Sequence, residues 1–229
     1  MPSIALRTNL FVHFRVSVEF TDKLCGGIPK SADLQRKWLE SKISDQSVAD
    51  GIAAKTVEAM GNEAEEYSHN GFMRGSNGNL VFEGRCIKAC LKESSGILRD
   101  FMGITAFKNR IAERVFVVES QIDLGKPEPD GTYESIVHAM TRQGPISALK
   151  RVDFITRPAF SFHLEVLNEP LISKDSEKKN AKKVEPVEYL SAILPLAMRE
   201  GMGAERSQGF GRFTVTEFVQ VDSLPEIGR

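Results

Sequence analysis

Two stretches of this sequence combine basic side chains with the means of holding an anion. The first is FEGRCIKACLKESSGILR, residues 82–99. Read as a helix from Arg85 to Phe101, at about 100° per residue, it gathers Ile87, Cys90, Leu91, Ser94, Leu98 and Phe101 on one side. Arg85, Lys88, Lys92 and Arg99 fall on the opposite side as a basic stripe. Cations in the first half of a helix oppose its macrodipole. An anion seated at the N-terminus would reconcile the exposed amides, the dipole and the charges. A solvated lysine-rich face satisfies the same spacing, so the pattern alone leaves both readings open.

The second stretch is GMGAERSQGFGRF, with four glycines within residues 201–211. Glycine lets a backbone approach another chain closely, and successive amides in such a loop can cradle an anion. Arg206 and Arg212 offer forked donors to phosphate. Phe210 has two readings, a ring stacked on a base or a plug in the core. The loop is not a P-loop, because it lacks the Gly-Lys-Ser/Thr ending and runs from helix to strand.

Acid–base and metal chemistry are harder to place. His13 and His163 lie within alternating strand patterns, His138 in a hairpin region, and His69 in a polar glycine loop. His13 reads as structural before catalytic, and His69 reads as the most exposed histidine, with no partner identifiable from sequence. Asp22 and Asp33 flank Gly26-Gly27 and read first as capping or solvated carboxylates, with metal-assisted cleavage the alternative. No metal-ligand cluster and no cofactor motif is legible. Cys86 and Cys90, four apart, read as core thiols.

The elements that must position these groups follow from periodicity. Residues 9–20 contain LFVHFRVSVEF, an alternating strand with one buried face. It enters the loop Cys25-Gly26-Gly27-Ile28-Pro29. Ser31 caps an expected helix around Leu34, Trp38 and Leu39, residues 45–66 read as an acidic helix, and 69–79 as a flexible loop. A strand at Leu80–Phe82 leads into the basic helix. Val115–Val118 is a strand, GKPEPDG (125–131) a turn, and 133–157 an extended hairpin broken at Gly144-Pro145. Phe160–Leu167 alternates again. Residues 173–185 form a charged linker. A helix begins near Pro186, with Pro195 expected to kink or restart it, and the chain closes on the strand Phe213–Val219. Helices and strands mix without regular βαβ alternation, which predicts an α+β domain with an antiparallel sheet and helices on one face.

Composition sets limits. The chain has 229 residues, 41% hydrophobic and 27% charged, with a net charge of −1. Near-neutral charge argues against coating duplex DNA by bulk electrostatics, so any nucleic-acid site must be local. No run is apolar enough for a membrane span, and the start of the chain does not read as a signal peptide. Three cysteines cannot complete a disulfide set, which fits a cytoplasmic location.

The two basic stretches together carry a family resemblance. FEGRCIKACLKESSGILR resembles the segment of the RAMP superfamily in which a strand turns into a helix opening with Lys and closing its second turn with Arg. Glu83 stands at the usual proline position and Arg85-Cys86 replaces paired serines. GMGAERSQGFGRFTV is similar to that superfamily's C-terminal glycine-rich loop. LCGGIPKS sits where backbone subunits of CRISPR effector complexes carry a Gly-Gly loop. The resemblance implies a single ferredoxin-like (RRM-like) domain over 1–229, with an insertion at 30–79 and a hairpin thumb at 133–157. It implies a non-catalytic protein that holds single-stranded, guide-like RNA by its phosphates, beside further copies of itself or other effector subunits. A stand-alone or phage relative fits the same residues. The expected RNA contacts are Gly26, Gly27, Lys30, Arg85, Lys88, Lys92, Arg99, Arg142, Arg206, Ser207, Gln208, Gly209, Phe210 and Arg212. Alternatives are a metal-independent endoribonuclease of the superfamily, using His13 or His69, and an assembly component that binds no nucleic acid.

Overall fold

The computed structural model describes residues 10–30, 69–141, 144–174 and 181–225, with side chains left out for 137–149. The helices expected around 31–39 and over 45–66, together with Asp33, Arg142 and the His138 side chain, lie outside the described residues. In chain order the elements begin β1 (Phe11–Phe20), β2 (Lys23–Cys25), β3 (Ile28–Pro29), β4 (His69–Gly71), β5 (Met73–Arg74) and β6 (Leu80–Glu83). Three helices follow, α1 (Gly84–Ile97), α2 (Arg99–Met102) and α3 (Phe107–Arg114), then β7 (Val115–Val117) and β8 (Gln121–Asp123). The long strands β9 (Gly131–Thr141), β10 (Gly144–Thr156) and β11 (Ala159–Leu167) precede β12 (Leu171–Ser173) and β13 (Lys182–Val184). The described chain ends with α4 (Pro186–Glu200), a 3-10 turn at Arg206–Gln208, and β14 (Phe213–Val221).

The fold is α+β. Its central sheet has the order β14-β1-β11-β7, antiparallel throughout. Helices α1 to α3 connect its first strand to its second, and α4 its third to its fourth, which is a ferredoxin-like arrangement of four strands. Alternation explains the packing: Phe14, Val16, Val18 and Phe20 of β1 and Phe160, Phe162, Leu164 and Val166 of β11 point into the core. Ile87, Cys90 and Leu91 of α1, Phe107 and Ile111 of α3, and Tyr189, Leu190, Ile193 and Ala197 of α4 meet them. The start of α4 is fixed by Pro186 in its first turn and a reciprocal capping box between Glu185 and Glu188. The other face of the sheet carries His13, Arg15, Ser17, Ser161, His163 and Glu165.

Two insertions build the second layer. Between β1 and α1 come β2 to β6; between β7 and β11 comes the hairpin β9–β10, paired from Gly131↔Phe154 to Thr141↔Gly144. Gly144 and Pro145 are paired with Thr141 and Met140 inside the hairpin, so they do not break it as expected. The base of β10 pairs with β2 on one stretch and with β4, in parallel, on another. The hairpin is thus rooted against the Gly26-Gly27 loop.

Several expectations need correction. The basic helix does not run to Phe101: α1 ends at Ile97 and a single turn, α2, restarts after Leu98. The change of phase turns Phe101 outward, to 84% exposure, instead of into the core. Residues 69–79 are not one loop, since β4 and β5 lie within them and only 75–79 form a turn. Lys182–Val184 of the charged linker pairs with β12; residues 175–180 lie outside the described residues. Pro195 does not divide α4. It sits on the exposed face, as does Ser191 one turn earlier, so the carbonyl it leaves unbonded is open to water.

Candidate nucleic-acid interface

The 201–212 loop is stitched to β2 by its backbone. Ala204 N–H donates to the Cys25 carbonyl, Gly211 N–H to that of Lys23, and Met202 N–H to that of Gly211, at 3.0, 2.8 and 2.9 Å. Such close approach leaves no room for side chains. A Cβ on Gly211 would lie 2.0 Å from the Met202 oxygen, one on Gly203 would lie 2.7 Å from the Cys25 oxygen, and both residues have positive φ. Gly26 is bound in the same way, because its Cβ would fall 2.2 Å from the Gly71 oxygen. These glycines serve contacts within the chain rather than with a ligand. Gly27, which is exposed, and Gly209, with open space around it, are the two that face outward.

Two hollows meet at this loop. One, of about 210 Å³, is walled by Gly26, Gly27, Gly71, Glu83, Arg85, Cys86, Gly203 and Ala204. The second, of about 640 Å³, is lined by Lys150, Arg199, Arg206, Ser207 and Arg212, together with Glu93, Glu200, Gly203, Ala204 and Glu205. Gly203 and Ala204 border both, so the two hollows adjoin along this loop, and together they are termed the groove. At its near end α1 starts without a side-chain cap and with no acidic residue in its first turn. The Glu83 carboxylate is instead bound by Arg85, whose Nε donates at 3.0 Å. Farther along, Arg206 donates to Glu93 at 2.6 Å and Lys150 to Glu205 at 2.5 Å. Arg199 and Arg212 have no ion-pair partner among the described residues. Ser207 and Gln208 are exposed on the 3-10 turn.

The expected basic stripe does not exist as one surface. Lys88 turns inward, and its ammonium donates to the carbonyls of Ile111, Ala112 and Val115 while lying over the Phe116 ring at 5.1 Å. It caps the C-terminus of α3. Burial, and then the charge of Lys92, push Lys88 down to about 8. Arg99 stands on α2 and pairs with Asp100. Only Arg85 of the four lines the groove, and Lys92, half-buried, has no ion-pair partner among the described residues.

Phe210 is neither free nor a core plug. Its ring stands edge-on to Tyr133 at 5.1 Å, and the Lys23 ammonium lies over Phe154, Phe210 and Tyr133 at 4.4, 5.2 and 5.9 Å. This half-buried group joins β2, the base of the hairpin and the glycine-rich loop.

Each described histidine has a carboxylate partner. His13 pairs with Glu165 at 3.3 Å and His163 with Glu119 at 2.6 Å. His69 is not the most exposed histidine and does have a partner: it is 17% exposed and bonds Asp153 at 2.6 Å. Asp153, 3% exposed, also accepts from Lys30 at 2.7 Å and Thr132 at 3.0 Å. Lys30 is therefore committed to this cluster. Burial alone would raise Asp153; the hydrogen bonds from Lys30 and His69, and their charges, outweigh it and hold the carboxyl below its ordinary range. Sequence reading missed Asp153, although a lone carboxylate inside the apolar run Val152-Asp153-Phe154-Ile155 was the available signal. Asp22 is exposed. Among the described residues no group of three or more His, Cys, Asp or Glu side chains is placed to hold a metal ion. Cys25 and Cys90 are buried, and burial pushes both thiols up to about 12. No described helix is long and apolar enough to cross a membrane.

The outer face of the central sheet has the opposite character. Glu19, Glu119, Glu165 and Glu217 lie on or beside it against one arginine, Arg15, which pairs with Glu217. Carboxylates there repel a phosphate backbone.

The fold and groove define an α+β protein with a ferredoxin-like core and, at its glycine-rich loop, a hollow lined by four cations and three carboxylates. No family model matches the chain, and no curated protein does. Among solved structures, it is similar to a chain of the Type III-B Cmr-beta complex bound to cognate target RNA, with 9% identity and a TM-score of 0.45. The alignment covers 92% of this chain and 61% of that one. A likeness of that size is a coarse sharing of layout and does not carry kinship or activity with it.

Proposed function

We propose that this chain holds single-stranded RNA by its phosphates along the groove joined at Gly203 and Ala204, as a non-catalytic subunit of RAMP type. The observation that supports this reading is convergence. Residues 26–27, 85–86, 199–200, 203–207 and 212, remote in sequence, line adjoining hollows in which Arg199 and Arg212 have no ion-pair partner among the described residues. Exposed Gly27, and Gly209 with open space where a side chain would stand, let a strand approach, and forked guanidiniums suit phosphate oxygens. The hairpin β9–β10 stands beside the groove, and in this reading it reaches a neighbouring copy in a head-to-tail array.

Fluorescence anisotropy with labelled oligouridylate across a salt series tests the proposal. Arg199→Ala and Arg212→Ala are each expected to weaken binding and to flatten the log–log salt slope by about 0.7 for each lost phosphate contact. Unchanged affinity and slope in both variants removes the groove from the site. On RNAs of increasing length, native mass spectrometry is expected to show rising copy number; one copy at every length sinks the array.

A second reading, metal-independent RNA cleavage, has one observation behind it: Asp153 orients His69. The same Asp153 is also bound by Lys30 and Thr132, as in a structural cluster, so no cleavage is expected. Specific cuts of labelled RNA that disappear in His69→Ala would favour the enzyme instead.

A further inference from the structure

Glu205 is at odds with its loop. Positive φ occurs at Gly201, Gly203, Glu205, Gly209 and Gly211, and Glu205 alone among them carries a side chain, at φ 57°. That conformation is disfavoured for a residue with a Cβ, and Gly or Asn suits it better. The carboxylate is 9% exposed and sits 2.5 Å from Lys150, a hairpin residue. It lines the 640 Å³ hollow with Lys150, Arg199, Arg206 and Arg212, and with the carboxylates Glu93, paired to Arg206, and Glu200. A partly buried ion pair is a poor source of stability, because desolvation offsets the attraction. A strained backbone that seats a carboxylate against Lys150 at the edge of a hollow calls for a functional account.

We propose that the Glu205 carboxylate is an internal stand-in for phosphate. It holds Lys150 in place while the groove is empty and yields it to a phosphodiester oxygen when a strand enters. No covalent bond changes; one carboxylate–ammonium pair is exchanged for a phosphate–ammonium pair. Because Lys150 belongs to β10, the exchange links occupancy of the glycine-rich loop to the hairpin. The carboxylate also raises the threshold for binding, since a lone weak anion does not displace it whereas a phosphate fixed by Arg199 and Arg212 does. The inference rests on the groove being a phosphate site.

The test uses the full chain, a labelled oligouridylate and a salt series, with Glu205→Gln, Glu205→Gly and Lys150→Met. Glu205→Gln is expected to tighten binding about fivefold, the upper range for a partly exposed ion pair. It is also expected to steepen the salt slope, by at most about 0.7, because no freed carboxylate then remains to offset the charge that Lys150 brings to the phosphate. Glu205→Gly, which suits the backbone, gives the same tightening, and adding Lys150→Met to Glu205→Gln abolishes it. Equal or weaker binding with an unchanged slope in both Glu205 variants, while wild type binds and Arg212→Ala weakens it, overturns the stand-in and leaves the groove intact. Absence of binding by wild type and variants at every salt concentration overturns both.

Discussion

Asp153→Asn probes the joint on which the hairpin and the Gly26-Gly27 loop depend. Asp153 Oδ2 accepts from Lys30 and Oδ1 from His69 and Thr132, while its backbone carbonyl accepts from Gly26 N–H. Asparagine keeps the shape but turns an amide toward a donor and leaves Lys30 without its counter-charge. Breaking a buried pair costs about 3–5 kcal/mol. Lys30 is 36% exposed and can turn toward water, so the lower end of that range, about 3 kcal/mol, applies. For a chain of this size that lowers Tm by about 6–12 °C. The pH dependence has a definite sign. The carboxyl is held below its ordinary range when folded, so its stabilisation is complete above the unfolded pKa near 4 and is lost as pH falls through the folded one. Urea melts at pH 7 and through the acid range should show wild type losing its advantage in acid, with Asp153→Asn flatter there. Equal stability of the two proteins at pH 7 would refute the reasoning, because the cluster would then carry no net energy.

Two further substitutions test the local arguments. Gly211→Ala places a Cβ 2.0 Å from the Met202 oxygen at a residue of φ 78°, so a loss of at least about 2 kcal/mol is expected in urea melts; a neutral result would show that the loop repacks. Lys88→Met keeps the apolar stem but removes a charged donor to three carbonyls at the end of α3. A loss of about 1.5–3 kcal/mol is expected, with RNA affinity unchanged if Lys88 lies outside the groove.

The legible parts of the chain are those in which local period and tertiary role agree. β1 and β11 alternate because one face of each is core, and the apolar positions of α1 recur at helical spacing for the same reason. The short strands β4 and β5 were hidden. β5 is only two residues long, and β4, all polar or glycine, pairs through backbone groups with β10, more than 80 positions away. Lys88 shows the limit of a helical wheel. Its angle from the core is consistent with solvent, but a long side chain reached the carbonyls of a helix packed alongside, 23 to 27 positions on. The glycine-rich loop was found from composition, whereas the reason for most of its glycines, contact with β2 and with the loop itself, depends on pairings that composition does not encode.

A net charge of −1 is at first sight unfavourable for a protein proposed to hold a polyanion. The structure separates the charges in part. Glu119, Glu165 and Glu217 lie on or beside the outer sheet face, bound to His163, His13 and Arg15, while Lys150, Arg199, Arg206 and Arg212 gather at one hollow. The same hollow is lined by three carboxylates, Glu93, Glu200 and Glu205, of which Glu93 pairs with Arg206 and Glu205 with Lys150. Few charges then remain to attract a strand at long range, and the field of the chain as a whole gives little steering. Short-range contacts must supply the affinity, and one groove supplies only a few of them. In the proposed function, occupancy on a long strand therefore depends on neighbours binding side by side, with each copy contributing a few phosphate contacts to a shared ligand.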